Sequence, residues 1–201
     1  MLNSRGVFVT ESLGSFLGNE REIERLVSTC KRRDDVIKLV RQGGVGVELG
    51  VAEGGFSERI LKSSVLEHLY SIDMWAGDRG HDIVQYKIAV RRLDAYKAHN
   101  SLLRMRFDQA LDLFPDEHFD FIYVDGYAHT GEEQGQTFKD WFPKLRRGGV
   151  FAGDDYSPDW PLVVQEVDRF VSENNLKLSV IKGQQEDDRF SQWPTWVAIK
   201  P

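Results

Sequence analysis

Four short apolar segments of this chain carry an acidic residue at or next to their carboxyl ends, and the stretches between them have the apolar spacing of helices. The segments are "VGVELG" (45–50), "LYSID" (69–73), "FDFIYVDG" (119–126) and "VFAG" (150–153), the last of which runs directly into two aspartates. Strands that alternate with helices form parallel units, whose carboxyl ends lie at one edge of the sheet. The pattern therefore predicts a doubly wound α/β sheet with acidic side chains along its ligand-binding edge.

The remaining segments complete a Rossmann-like, seven-stranded sheet with helices on both faces. Further strands are predicted over 102–107, 177–181 and 195–200, a turn over 146–149, and helices over 20–41, 54–64, 83–99, 131–143 and 161–173. Because no helix separates the last two strands, the last strand is expected to run antiparallel in a mostly parallel sheet. We predict a single domain over 1–201, with an N-terminal arm and helix (1–44, irregular over 1–19) and a core over 45–201.

The charge and cysteine content exclude several classes of partner. A formal net charge of −6 argues against a nucleic-acid surface, which needs clustered Lys and Arg. The basic run Lys31-Arg32-Arg33 is followed at once by two aspartates, so it predicts a solvated helix face. The single cysteine allows no internal disulfide, and no apolar stretch approaches the roughly 20 residues of a membrane-spanning helix. We therefore expect a cytoplasmic protein that binds neither nucleic acid nor membrane.

The glycine-rich turn "VELGVAEGGFS" (47–57) lies between a predicted strand and a helix, as in nucleotide-binding loops. Glu48 and Glu53 flank this turn, and negative charge there disfavours the phosphates of a dinucleotide. It favours a cationic ligand without phosphate, such as S-adenosylmethionine. Asp73, at the end of the second strand, is placed to accept the ribose hydroxyls. A plain turn and a solvated strand end remain the structural alternatives for these two features.

With these stretches, the chain resembles class I S-adenosylmethionine-dependent methyltransferases from about residue 45 to its end. "VELGVAEGGFS", "SIDMWAGD" (71–78) and residues 119–156 carry the resemblance, which is greatest to bacterial small-molecule O-methyltransferases of the macrocin type. It implies that Trp75 packs beside adenine and that Asp108 and Gln109 lie near it, although Asp108 could instead cap a helix. The cofactor-binding residues implied are Glu48, Gly50, Gly54, Gly55, Phe56, Ser57, Asp73, Trp75, Asp108, Gln109 and Asp125.

The metal-dependent branch of this family, which includes catechol O-methyltransferase, binds a divalent cation with acids that follow the fourth and fifth strands. Asp125, Asp154 and Asp155 match those positions, and the resemblance implies that they bind Mg²⁺. The ion would hold and acidify the hydroxyl of a sugar, polyol or catechol-like acceptor. The alternative is that one aspartate of the adjacent pair caps the following helix.

The general base of these relatives has no counterpart here, because Tyr127 and Ala128 stand where they carry an aspartate or a lysine. We predict that His129 takes the acceptor proton, with Asp125 as the second catalytic residue; a loop histidine that shapes the turn is the equal alternative. His81 is the next candidate, with no comparable position relative to the acids. A non-catalytic methyltransferase-fold protein, an NAD-dependent oxidoreductase and assembly as a homodimer are left open.

Overall fold

The computed structural model describes residues 20–77, 80–126, 133–182 and 193–201, and a seven-stranded sheet forms its centre. The strands are β1 (Gly44–Leu49), β2 (Leu66–Asp73), β3 (Asn100–Arg104), β4 (Phe119–Val124), β5 (Leu145–Gly153), β6 (Ser179–Ile181) and β7 (Thr195–Ile199). They lie in the order β3-β2-β1-β4-β5-β7-β6, and β7 runs antiparallel to both of its neighbours. The predicted mostly parallel sheet with an antiparallel last strand is confirmed.

The helices of the described residues cover both faces of the sheet. They are α1 (Glu20–Thr29), α2 (Gly55–Lys62), α3 (Ile83–Leu93), α4 (Phe107–Ala110), α5 (Gln136–Trp141) and α6 (Pro161–Glu173), and a 3-10 helix covers Arg33–Leu39. The Asp82 carboxylate caps α3 by accepting the backbone N–H groups of Val84 and Gln85 at 2.8 and 3.1 Å. None of the helices in the described stretches has both the length and the apolar character needed to cross a bilayer.

Each face of the sheet is covered by its own hydrophobic core. Along β4, Ile122 and Val124 point to the face packed by α4, α5 and α6, whereas Phe121 and Tyr123 point to the face packed by α2, α3 and the 3-10 helix. All four of these side chains are fully buried. Burial of each stabilises the fold by about 1.5–3 kcal/mol, so β4 is the anchored centre of the sheet.

The winding of the sheet reverses between β1 and β4, which lie side by side. Gly50, directly after β1, has φ +103°, and a Cβ there would lie 2.3 Å from the backbone nitrogen of Gly126. At Gly126 a Cβ would lie 2.6 Å from the ring of Phe107. Only glycine fits at either position. The two strand ends therefore meet in close contact at the point where open α/β sheets bind ligands.

Two predictions for the chain outside this centre need comment. The predicted turn at 146–149 belongs to β5 as an irregular stretch, because the β4–β5 pairing passes from Phe119–Leu145 to Phe121–Val150. Gly148, with φ +73°, provides the bend within it. The predicted irregular arm over 1–19 lies outside the described residues.

Candidate active site

A cavity of about 760 Å³ runs along the carboxyl edge of the sheet. Its lining residues follow the ends of β1 to β5 or belong to α5 and the turn before it: Gly50, Asp73, Met74, Trp75, Ala76, His81, Arg106, Phe107, Asp108, Asp125, Gly126, Glu133, Gln136, Thr137, Asp140, Trp141, Asp155 and Trp160. Because β2 and β4 lie on opposite sides of β1, the cavity has two ends. We call them the Asp73 end (Asp73, Trp75, His81) and the Asp125 end (Asp125, Asp155, Trp160).

The carboxylate of Asp73 is held by the glycine-rich turn. Its Oδ2 accepts the backbone N–H groups of Val51 at 2.9 Å and Ala52 at 3.0 Å, and its Oδ1 accepts that of Trp75 at 3.1 Å. Burial opposes ionisation of Asp73, but its hydrogen bonds with His81 and with these amides outweigh burial and lower its pKa below the ordinary value. The turn and the end of β2 are thus joined by an ionised carboxylate.

His81 and Trp75 complete the Asp73 end. His81 Nδ1 lies 2.8 Å from Asp73 Oδ2, at the opposite end of the cavity from Asp125 and Asp155. The sequence analysis did not foresee this contact, which His81 makes from the polar loop after β2. The buried indole of Trp75 donates from Nε1 to the carbonyl of Ala52 at 2.8 Å and lies 4.9 Å from the ring of Tyr86.

Glu48 and Glu53, the two acids of the glycine-rich turn, do not line the cavity. Glu48 is buried and accepts a hydrogen bond from the hydroxyl of Ser57, which in turn lies 2.9 Å from Ser71 Oγ. Burial raises the pKa of Glu48 to about 8. Glu53 faces Arg92 of α3 at 4.0 Å. The expected negative charge beside the ligand therefore comes from Asp73 and not from these two residues.

The other cofactor-binding residues predicted from the turn pack within the fold. A Cβ at Gly54 would lie 3.3 Å from the Leu93 side chain and one at Gly55 would lie 2.8 Å from that of Arg92, both of α3. The ring of Phe56 lies 4.4 Å from that of Tyr123 in a tilted arrangement within the core. None of the three lines the cavity. Of the predicted cofactor-binding residues, the cavity brings together Gly50, Asp73, Trp75, Asp108 and Asp125.

Asp108 and Gln109 lie beyond β3, at the start of α4. Asp108 lines the cavity, accepts a hydrogen bond from Arg106 Nε at 2.9 Å and also accepts the backbone N–H of Gln109 at 3.0 Å. Gln109 accepts the backbone N–H of Arg106 through its side-chain oxygen at 3.3 Å and does not line the cavity. Asp108 therefore lies in the cavity wall and accepts a hydrogen bond within the first turn of α4, but it is not the N-cap residue of that helix, and its proximity to adenine stays a prediction.

The Asp125 end contains a cation that the sequence analysis missed. Arg33, at the start of the 3-10 helix, is 3% exposed, and its NH1 donates to Asp154 Oδ2 at 2.9 Å while its NH2 pairs with Asp125 Oδ2. The predicted solvated face at 31–33 is thus wrong for Arg33. Burial opposes the charge of Arg33, but Asp125 and Asp154 raise its pKa well above the ordinary value.

A signal for the burial of Arg33 was present in the sequence. Val36, Ile37 and Val40 follow it at helical spacing, and all three are buried in one core. Arg33 therefore begins the apolar stripe of its helix, although the charged residues around it obscure that stripe.

The adjacent aspartates after β5 point to different surroundings. Asp154 pairs with Arg33 and lies 3.4 Å from the hydroxyl of Thr195, which is buried. Asp155 has φ +62°, a left-handed conformation, and lines the cavity while remaining 7% exposed. The burial of Asp154 is therefore explained by its pairing with the internal cation Arg33. Asp155 lies in the cavity wall instead, where its left-handed backbone conformation places it.

As they lie, these side chains do not fit a divalent metal. One oxygen each of Asp125 and Asp154 is occupied by the Arg33 guanidinium, and Asp154 is not part of the cavity wall. Within the described parts of the chain, no group of three or more acidic, histidine or cysteine side chains is arranged to hold a metal ion. The alternative role, capping of α6, is not filled by a side chain either.

The predicted general base cannot be placed, since His129 lies outside the described residues. Next to that segment, Glu133 Oε1 accepts the backbone N–H of Thr137 at 3.0 Å, and Asp140 accepts a hydrogen bond from Gln136 at 2.7 Å. All four side chains line the cavity from the α5 side. The Asp125 end is thus bounded by further carboxylates.

Comparison with known sequences assigns a family to the part of the chain that forms most of this sheet edge. The family described as "Methyltransferase domain" matches residues 47–156, which is more than half of the chain. The match covers the glycine-rich turn, the Asp73 end and the strand ends that carry Asp125 and Asp155. No curated protein matches the chain in sequence.

Solved structures share the fold at low identity. Spermidine synthase from Thermotoga maritima superposes with a TM-score of 0.64 at 16% identity, over 85% of this chain and 58% of its own. An S-adenosylmethionine-dependent O-methyltransferase from Thermotoga maritima has a TM-score of 0.58 at 14% identity, over 82% and 62%. Precorrin-6y C5,15-methyltransferase from Geobacter metallireducens gives 0.59 at 13%, over 83% and 86%. The chain spans less than two thirds of the length of the first two, and these likenesses show the fold alone.

Proposed function

The chain belongs to the family of methyltransferase domains, and on that premise we propose that it transfers a methyl group from S-adenosylmethionine to a hydroxyl of a small molecule. The observation that carries the choice of cofactor is the bonding of the glycine-rich turn. The N–H groups of Val51 and Ala52 are turned onto Asp73 and are not presented to a phosphate. A cofactor with ribose hydroxyls and no pyrophosphate matches this arrangement, whereas NAD does not.

The Asp73 end supplies the contacts that an adenosine requires. Among the described residues, Asp73 Oδ1 receives one hydrogen bond, from the Trp75 N–H, whereas Oδ2 is contacted by Val51, Ala52 and His81. A carboxylate oxygen can accept a second hydrogen bond, so Oδ1 has capacity for another donor. The remaining capacity suits a ribose hydroxyl. The indole of Trp75 provides an apolar wall, and the absent side chain of Gly50 allows a ligand to approach the backbone closely.

The Asp125 end would hold the acceptor. When bound, the cofactor would supply a sulfonium methyl group for transfer to the acceptor oxygen and would leave as the thioether S-adenosylhomocysteine. The hydroxyl proton would go to the general base, for which His129 is our proposal. Asp125 and Asp155 would orient the hydroxyl through hydrogen bonds, since ionised carboxylates act only as acceptors. A sugar, polyol or catechol-like acceptor offers the several hydroxyl donors that this acidic wall can receive.

Two parts of the sequence-based prediction, the magnesium ion and the general base, are not supported by a contact of the described residues. Magnesium assistance was expected from the resemblance alone, and no step is assigned to it because Arg33 pairs with one oxygen of Asp125 and one of Asp154. His129 remains the proposed general base on its position four residues after Asp125. His81 is tied to Asp73, at the other end of the cavity, and is not our candidate for that role.

Thermal unfolding with S-adenosylhomocysteine tests the cofactor directly. A ligand at 100 times its Kd stabilises the native state by about 2.7 kcal/mol, which raises the Tm of a chain of this size by about 5–10 °C. We expect that shift with S-adenosylhomocysteine and none with NAD. A shift with NAD alone would contradict the proposal.

Turnover separates an enzyme from a non-catalytic member of the same fold. Incubation with S-adenosylmethionine and a panel of sugars, polyols and catechols should yield one acceptor that gains a methyl group by mass spectrometry. Tight S-adenosylhomocysteine binding together with no methylated product across acceptor classes would favour the non-catalytic alternative.

A further inference from the structure

The Arg33 side chain is 3% exposed and is enclosed by described residues that are both aromatic and acidic. Its guanidinium carbon lies 4.0 Å from the centre of the Phe56 ring and 4.8 Å from that of Tyr123, while two carboxylates bind its edge. Aromatic faces and carboxylates both attract a cation, and a planar guanidinium can contact both kinds at once. The environment is thus matched to arginine in shape as well as in charge.

The two carboxylates come from the ends of neighbouring strands. Asp125 follows β4, and Asp154 follows β5, which pairs with β4 up to the contact of Val124 with Gly153. Arg33 reaches them from a helix on the face of the sheet packed by α2 and α3. Arginine remains protonated throughout the physiological pH range, so this position carries a permanent positive charge.

Of the two carboxylates that pair with Arg33 among the described residues, Asp125 lines the cavity and Asp154 does not. The Asp125 side chain is 21% exposed, whereas that of Asp154 is 6% exposed. Arg33 therefore holds the cavity carboxylate of Asp125 from the side away from the cavity. Asp154 is the second carboxylate that the guanidinium pairs with, in the interior.

We propose that the Arg33 guanidinium is the resident cation of the Asp125 end: it takes the position between Asp125 and Asp154 that metal-dependent relatives give to a divalent ion, and it orients Asp125 toward the acceptor. Arg33 is accordingly a positioning residue, since it acts through Asp125. The cation site rests on geometry alone, and the orientation of an acceptor rests on the proposed function. The consequence is that this end of the cavity has no affinity for a divalent ion while Arg33 is in place.

Binding of Mn²⁺ to the full chain, followed by the electron paramagnetic resonance of the free ion, tests the proposal without turnover. The wild type and Arg33→Lys, which keep a cation at this place, should bind no Mn²⁺ up to millimolar ion. Arg33→Met removes the charge at similar length and should gain one Mn²⁺ site. The double variant Arg33→Met/Asp125→Asn should lose that site again. A residue that only fills space would not give Lys and Met opposite results.

Two results would overturn the proposal. One is a wild-type Mn²⁺ site that Asp125→Asn abolishes, and the other is a folded Arg33→Met protein that binds no Mn²⁺. The first needs only the wild type and Asp125→Asn, so it decides the matter even where Arg33→Met does not fold. Calorimetry with S-adenosylhomocysteine on the wild type reports separately on the proposed function, because its contacts belong to the Asp73 end.

Discussion

The two ends of the cavity both present a carboxylate, but they stabilise it by different means. At the Asp73 end, backbone amides of Val51, Ala52 and Trp75 surround the charge, and His81 adds a fourth contact. At the Asp125 end the charge faces a buried guanidinium. Amides bind an anion without adding a charge, whereas Arg33 adds one positive charge between two carboxylates.

On the proposed function, in which the Asp73 end holds the cofactor and the Asp125 end the acceptor, this difference suits the two halves of a methyl transfer. The cofactor half needs hydrogen-bond acceptors for hydroxyls and tolerates the negative charge, since the methyl donor is a sulfonium cation. The acceptor half collects several carboxylates, and their mutual repulsion requires a cation within the fold. The comparison predicts that substitutions at the two ends have different main effects, on stability at one end and on cofactor affinity at the other.

The largest effect is expected from removing the internal cation. Arg33→Met leaves two largely buried carboxylates without their partner, and breaking a buried ion pair from one side costs about 3–5 kcal/mol. Arg32→Met, one residue earlier and exposed, is the matched control and should change the free energy of unfolding by less than about 0.5 kcal/mol. Urea unfolding measures both. Equal stabilities of the two variants would show that Arg33 carries no structural charge.

A smaller effect, on cofactor affinity, is expected at the other end. Asp73→Asn replaces an oxygen that accepts amide hydrogen bonds with a donor, and hydrogen bonds to a charged group contribute about 1.5–3 kcal/mol. We expect S-adenosylhomocysteine to bind about 10- to 100-fold more weakly by calorimetry. Asp94→Asn, at an exposed residue outside the cavity, is the control and should change the affinity less than about threefold. Should the two substitutions weaken binding equally, Asp73 would not be the ribose contact.

The smallest effect concerns Glu48, which lies beneath the cavity and is bonded to a neutral hydroxyl. Burial raises its pKa from 4.5 to about 8, so near neutral pH the unfolded chain has lost a proton that the folded chain retains. Stability must therefore fall as the pH rises between these values. From pH 6 to pH 7 the wild type should lose about 1 kcal/mol relative to Glu48→Gln, which cannot titrate. If the difference in the free energy of unfolding between the wild type and Glu48→Gln is the same at pH 6 and pH 7, Glu48 is ionised in the folded state and the prediction is wrong.

The fold could be read from the sequence because its signals are local. The bounds of α6 at 161–173 follow from apolar spacing after a proline, and β4 follows from an apolar run that ends at Asp125. The start of β5 was not foreseen, because "RRGG" has the composition of a turn and only its pairing with β4 makes it a strand.

The Asp73 carboxylate was predictable for the same reason, since its contacts among the described residues lie between residues 51 and 81 of the chain. The Asp125 end was not. Arg33 is 92 residues from Asp125 and 121 from Asp154 along the chain, and no pattern in one sequence links a charge to partners so distant. The adjacent acids indicated that a cation lies nearby, and the resemblance to the metal-dependent branch suggested a metal ion. In the structure, the cation beside Asp125 and Asp154 is Arg33.

A crystal structure of the full chain grown with S-adenosylhomocysteine and MgCl₂ tests the account most directly. We predict a ribose hydroxyl at Asp73, adenine beside Trp75 and the guanidinium of Arg33 between Asp125 and Asp154, with no ion bound to these carboxylates. A Mg²⁺ ion coordinated by Asp125, Asp154 and Asp155, with Arg33 turned away, would contradict it.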